Sequence, residues 1–130
     1  MPELANPLVA NSPAETSQLF EKAANAHDVD ALMTLYEPKA ASASSQTESV
    51  SGADAIRQSL TGMIGMRPTF RLMPFNVITA GDLAMVAGDW TMEATDPSGN
   101  PMSMKGRYVD VVRRQSDGRW LVAIDNPWMG

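Results

Sequence analysis

From residue 69 onward, apolar and polar positions alternate with the two-residue period of half-buried strands, whereas before that point apolar residues recur at helical spacing. Ser12-Pro13-Ala14-Glu15 combines a capping serine, a proline suited to a first turn and a capping-box glutamate. Behind it Leu19, Phe20, Ala23 and Ala24 share one stripe, which predicts a first helix over 13–26. Asp28 then reads as the cap of a short second helix over 29–36 that Pro38 ends, with His27 at the junction. Residues 39–50 hold mostly Ala, Ser and Thr, and predict a loop with at most one short strand. A third helix starts at Ser51-Gly52-Ala53-Asp54, carries Ile56, Leu60, Met63 and Ile64 on one face, and decays through Gly62, Gly65 and Pro68. Residues 1–11, with Pro2 and Pro7, read as a loose arm before a single domain over 12–130.

The β pattern divides into strands over 69–80, 83–95, 102–115 and 119–128, separated by Gly81-Asp82, by the segment 96–101 and by Asp117-Gly118. Helices followed by a meander predict the α+β class, one curved antiparallel sheet with helices packed on a single face. Asp117-Gly118 suits a two-residue type I′ hairpin turn. Ser116 would then face Arg119, and Asp110 would lie directly opposite Asp125. Opposed side chains in an antiparallel ladder have Cβ atoms roughly 4.5–5.5 Å apart, close enough for two carboxylates to resist ionising together.

Strand parity assigns Met85, Ala87, Asp89 and Thr91, then Met104, Tyr108, Asp110 and Val112, then Leu121, Ala123, Asp125 and Pro127 to one inner face. That face is apolar with three acids, Asp89, Asp110 and Asp125, in its middle. The same parity puts Trp90, Val109, Val111, Trp120, Val122, Ile124 and Trp128 on the outer face. Such a surface exceeds the few hundred Å² of contiguous apolar area usual on a monomer, so a homodimer through this face is expected.

With 130 residues and 44% apolar content the chain fits one domain with one core. A net charge of −5 without a Lys/Arg cluster argues against nucleic acid and against an anionic membrane as partners. The start of the chain shows no secretory or membrane-spanning pattern, so a cytoplasmic location is the expectation. There is no cysteine, and one histidine with scattered acids gives no metal-ligand spacing; no glycine-rich phosphate loop appears either. Neither metal nor cofactor is therefore expected. His27, at a helix junction, is better explained by capping than by catalysis. The ten methionines suit an adaptable apolar pocket for a flat or flexible ligand.

The segments His27-Asp28-Val29-Asp30-Ala31-Leu32, Ser51-Gly52-Ala53-Asp54-Ala55-Ile56-Arg57, Gly106-Arg107-Tyr108-Val109-Asp110-Val111-Val112-Arg113-Arg114 and Asp117-Gly118-Arg119-Trp120 resemble the nuclear-transport-factor-2-like superfamily, in its SnoaL-like polyketide cyclase and ketosteroid isomerase-like branch. The resemblance spans about residues 13–128. It implies a cone-shaped curved antiparallel sheet wrapped around N-terminal helices, the NTF2-like or cystatin-like arrangement. Asp110 matches the protonated aspartic acid that donates into the oxyanion hole of ketosteroid isomerases. Their catalytic base falls at about Ser44, their oxyanion tyrosine at Phe20 and its supporting tyrosine at about Leu60. That mechanism is therefore not reproduced part for part. Against the epoxide hydrolases of the same scaffold, Asp125 matches the second acid and Asp89 stands for the first, but their bridging arginine falls at Ala87. Arg71 replaces it only if it points inward.

The resulting expectation is a cofactor-free enzyme, an isomerase, cyclase or hydrolase, acting on a hydrophobic oxygenated small molecule. Asp110 and Asp125 would be its acid/base pair, joined by Asp89, with Tyr108, Phe20, Leu60, Met85, Met104 and Ala123 lining the pocket. Epoxide-hydrolase-like water activation by Asp89 and Asp125 is one alternative. A non-catalytic module that binds a hydrophobic ligand or only dimerises is another.

Overall fold

Helix α1 (Glu15–Asn25) begins at Ala14 rather than at Ser12, so it has no side-chain cap, and the Glu15 carboxylate turns back to accept from the Asn11 backbone N–H at 2.6 Å. His27 then takes a left-handed φ of 56°, reversing the chain so that Asp28 can cap α2 (Val29–Met33) by accepting from the Ala31 N–H at 2.9 Å. The helix ends three residues earlier than predicted, and Tyr36 instead opens a strand. The computed structural model describes residues 7–130, so part of the predicted arm lies outside the described residues. The rest of it is no arm: Leu8 and Ala10 are buried, and the Ala10 carbonyl accepts from the Trp120 N–H at 3.0 Å.

The remaining elements are β1 (Tyr36–Ala43), β2 (Ser49–Ser51), α3 (Ala53–Ile64), β3 (Thr69–Ala80), β4 (Leu83–Thr95), β5 (Pro101–Arg114) and β6 (Trp120–Asn126). They form one curved, open six-stranded sheet in the order β2-β1-β6-β5-β4-β3, antiparallel except where β1 runs parallel to β6. The segment predicted as a loop is thus a β1–β2 hairpin. Its small side chains pack under α3, which is why it lacks the large apolar residues that mark a strand in sequence. Pro38 is tolerated in β1 because the ladder to β6 is interrupted between Tyr36 and Ala41.

All three helices lie on one face of the sheet, and Leu32, Leu35, Ile56, Val86 and Val112 are fully buried between the layers. The Asn25 carboxamide clamps edge strand β3 by donating to the Phe70 carbonyl at 2.9 Å and accepting from the Phe70 N–H at 2.6 Å. Glu21 accepts from the Leu72 N–H at 2.7 Å one pleat further on.

Register decides which side chains meet these helices, and two predicted registers are corrected. Pro101 belongs to β5 and pairs with Thr95, so the β4–β5 connection is residues 96–100, one residue shorter than the segment 96–101. One residue of slip turns every side chain over. Ala84, Val86, Gly88, Trp90 and Met92 therefore face inward, while Met85, Ala87, Asp89 and Thr91 face outward.

The β5–β6 turn is also not the predicted type I′ hairpin. The Gly118 N–H donates to the Gln115 carbonyl and the Gln115 N–H to Arg119, enclosing residues 116–118 with Gly118 at φ 90°. That shifts the pairing by one, putting Arg114 opposite Trp120 and Val112 opposite Val122. A bulge at Ala123 shifts it back, so Asp110 does face Asp125. Trp120 and Val122 consequently point inward, and Leu121 outward.

Candidate functional site

Between the inner sheet face and helices α1 and α3 lies a cavity of about 540 Å³. Its walls are apolar and aromatic: Phe20 and Thr16 from α1, Leu60 and Met63 from α3, Phe70 and Leu72 from β3, Trp90 and Met92 from β4, with Trp128 closing one side. Trp90 and Trp128 meet edge to face, ring centroids 5.8 Å apart at 85°, and the Trp90 indole N–H donates to the Pro127 carbonyl at 2.8 Å. Two cross-strand pairs allow rings to lie flat on the sheet, Tyr108 over Gly88 and Trp90 over Gly106. A Cβ on Gly88 would stand 2.7 Å from the Tyr108 ring, and one on Gly106 2.9 Å from the Trp90 ring.

Asp110 and Asp125 face this cavity from adjacent positions on β5 and β6. Asp110 is only 9% exposed and accepts from the Asn126 backbone N–H at 3.3 Å. Burial, then the neighbouring Asp125 charge and a hydrogen bond shared with it, push the Asp110 carboxyl well above the usual aspartate range, against a small opposing pull from the Asn126 N–H. Asp125 accepts from the Tyr36 hydroxyl at 2.8 Å. Burial and the two nearby acids push Tyr36 up, and burial pushes Tyr108 up to about 12 despite its hydrogen bond with Ser17. Both phenols thus stay protonated. The Tyr108 hydroxyl lies 2.8 Å from the buried Ser17 Oγ.

The site is a pair of adjacent carboxyls, Asp110 with its pKa raised, held by neutral donors at the wall of an apolar cavity. Such a pair can donate from one member and accept at the other. Among the described residues no group of three or more His, Cys, Asp or Glu could hold a metal ion.

Of the residues singled out from sequence, Asp110, Asp125, Tyr108, Phe20, Leu60 and Met104 all line the cavity. Asp89 does not. It lies on the opposite face, where it pairs with Arg107 at 3.1 Å, so the Asp89–Asp125 arrangement of the epoxide-hydrolase alternative does not form. Arg71 is on that outer face as well, opposite Thr91. Met85 also faces outward, 44% exposed, and Ala123 is the bulge residue rather than part of the cavity wall. Trp90, Val122 and Trp128, read as outer-face residues, line the cavity instead. His27 lies within hydrogen-bonding distance, 3.0 Å, of the Pro68 carbonyl and takes no part in the site. Sequence reasoning missed Tyr36, which it placed at a helix end, and Ser17, for which no pattern signalled a partner 91 positions away.

This architecture is shared with a nuclear transport factor 2 (NTF2-like) superfamily protein from Salmonella enterica serovar Typhimurium, at 17% identity over 87% of this chain and 84% of that one, TM-score 0.75. It is shared too with a ketosteroid isomerase-like protein from Erwinia carotovora atroseptica, at 15% identity over 86% and 88% of the two chains, TM-score 0.75. At such identities the likeness is one of fold. The sequence itself goes one step further: residues 17–123 match the SnoaL-like domain, and the chain belongs to that family. Comparison with curated proteins gives no match.

Proposed function

We propose that the chain is a cofactor-free enzyme that acts by proton transfer on a hydrophobic oxygenated small molecule, as an isomerase, cyclase or hydrolase. The observation that carries this reading is the Asp110–Asp125 pair at the wall of the 540 Å³ apolar cavity. Asp110, kept protonated, donates to a carbonyl or epoxide oxygen as negative charge develops there. Asp125 removes a proton from the adjacent carbon and returns it elsewhere on the substrate, or takes one from water as the water oxygen adds to the substrate and passes it to the oxyanion that forms. Tyr36 steadies the charge on Asp125. Ser44, where the ketosteroid isomerases' base falls in the sequence comparison, lines the same cavity from the bend after β1 but cannot serve as that base, so the role passes to Asp125 on β6.

The test is product analysis on uncharged ketones, epoxides and polyketide fragments, with Asp125→Asn as control. Turnover abolished in the variant is expected. Ligands that raise the melting temperature with no product formed would instead make this a binding module.

The proposal extends to assembly. Ile78, Met85, Val111 and Ile124 form one continuous cross-strand row on the outer face, with Ile78 57%, Met85 44% and Ile124 48% exposed. Beside it, Asp89 and Arg107 are paired with each other, so the face meets a second copy of itself without an unmatched charge there. A homodimer through this row is the expectation. It replaces the tryptophan-rich patch read from sequence, since Trp90, Trp120 and Val122 turn inward. Ile124→Arg should convert a sedimenting dimer to monomer with the fold retained; a wild-type chain that sediments as a monomer at micromolar concentration refutes it.

A further inference from the structure

The charge inventory of the cavity is one-sided. Among its described lining residues, Asp110 and Asp125 are the only acids, and none is Lys, Arg or His. The arginines of β5 are engaged elsewhere: Arg107 with Asp89, Arg113 with Glu37 and Arg114 with Asp82. The pair's own partners, the Tyr36 hydroxyl and the Asn126 backbone N–H, are neutral. An ionised carboxylate in this pair has no cationic partner among the described lining residues. A ligand filling an apolar cavity strips water from that charge and raises its cost, unless the ligand brings a positive charge of its own. The walls favour the same solution, because the rings of Phe20, Tyr36, Trp90, Tyr108 and Trp128 surround the space and aromatic faces attract cations.

We propose that this cavity selects its ligand by charge, taking a flat hydrophobic molecule that carries a protonated amine, seated with its ammonium on Asp110 and Asp125, and rejecting carboxylates and phosphates. The inference rests on the reading that this pair meets the ligand, and not on the pair catalysing a reaction.

Three probes with one ring system separate the effects: 2-naphthylmethylamine, 2-naphthylmethanol and 2-naphthoate, titrated into the full chain by calorimetry at pH 8. The amine should bind at least about tenfold more tightly than the alcohol, as a charge-assisted contact in a dry site outweighs a neutral one. Naphthoate should show no measurable binding. The amine's advantage should vanish in Asp125→Asn; should that variant fail to fold, the advantage must still shrink in the wild type as pH is lowered and the acids become protonated. An alcohol that binds as tightly as the amine, an advantage that persists in Asp125→Asn or is independent of pH, or failure of all three probes to bind overturns the proposal. Turnover of uncharged ketones without amine preference would leave the catalytic reading standing and remove this one, and amine preference without any turnover would do the reverse.

Discussion

Replacing Tyr36 with phenylalanine keeps the ring in its buried seat and removes one oxygen, the donor that meets Asp125 Oδ2 at 2.8 Å. A hydrogen bond to a charged acceptor contributes about 1.5–3 kcal/mol net, and because Asp125 is only half-buried the lower part of that range applies, about 2 kcal/mol. For a chain of 130 residues the unfolding entropy near the midpoint is about 0.27 kcal/mol/K, so the melting temperature should fall by roughly 7 °C at pH 8. The deficit should narrow in acid, since a protonated pair has less charge for the phenol to stabilise. A melting temperature within about 1 °C of wild type would show that Tyr36 only fills space.

Asp110→Asn should change the pH dependence of stability. Burial raises the Asp110 pKa above its ordinary value of 3.8, so the wild-type carboxyl contributes stability that is complete below that value and is lost as pH rises through the folded-state pKa. The amide cannot titrate, and melting curves from pH 4 to 8 should show the variant gaining on wild type as pH increases; a constant difference contradicts the shift. Gly88→Ala would place a Cβ 2.7 Å from both the Met73 carbonyl oxygen and the Tyr108 ring, displacing Tyr108 from Ser17. Overpacking of about 1–3 kcal/mol plus a lost hydrogen bond of about 1 kcal/mol should appear in denaturant titration, and shortening Tyr108 to leucine in that background should cost less than it does alone.

The long elements were legible because each carries its own period. Strands β3 and β4 lie where alternation placed them, and Asp28 caps α2 as its position before the apolar stripe indicated. What resisted reading was everything decided by a count of one. Whether Pro101 ends a loop or opens β5 changes no local preference noticeably, yet it decides whether Trp90 or Asp89 meets the helices. Hydrophobicity offered a signal that was available in the sequence: the alternate set of β4, Ala84, Val86, Trp90 and Met92, is more apolar than Met85, Ala87, Asp89 and Thr91. Tyr36 was invisible for another reason, since its partner lies 89 positions away across a parallel ladder that no turn signal announces.

The opposition of Asp110 and Asp125 was read correctly through two deviations that cancel, and the cancellation is itself informative. The turn enclosing residues 116–118 moves β6 by one position and sends Trp120 and Val122 inward. A regular strand from there would put Ile124 on the cavity and Asp125 on the outer face, alternating as strands must. The extra residue at Ala123 reverses this, turning 48%-exposed Ile124 outward and Asp125 inward to Asp110 and Tyr36. Bulges concentrate where a strand must re-aim a side chain, and here the side chain re-aimed is an acid placed beside another acid, at an electrostatic cost to the folded state. An arrangement that only stabilised the sheet would gain more from isoleucine at that position. The bulge therefore belongs to the site, and the same residue count that gives the cavity its second carboxyl gives the outer face the isoleucine at the end of its apolar row.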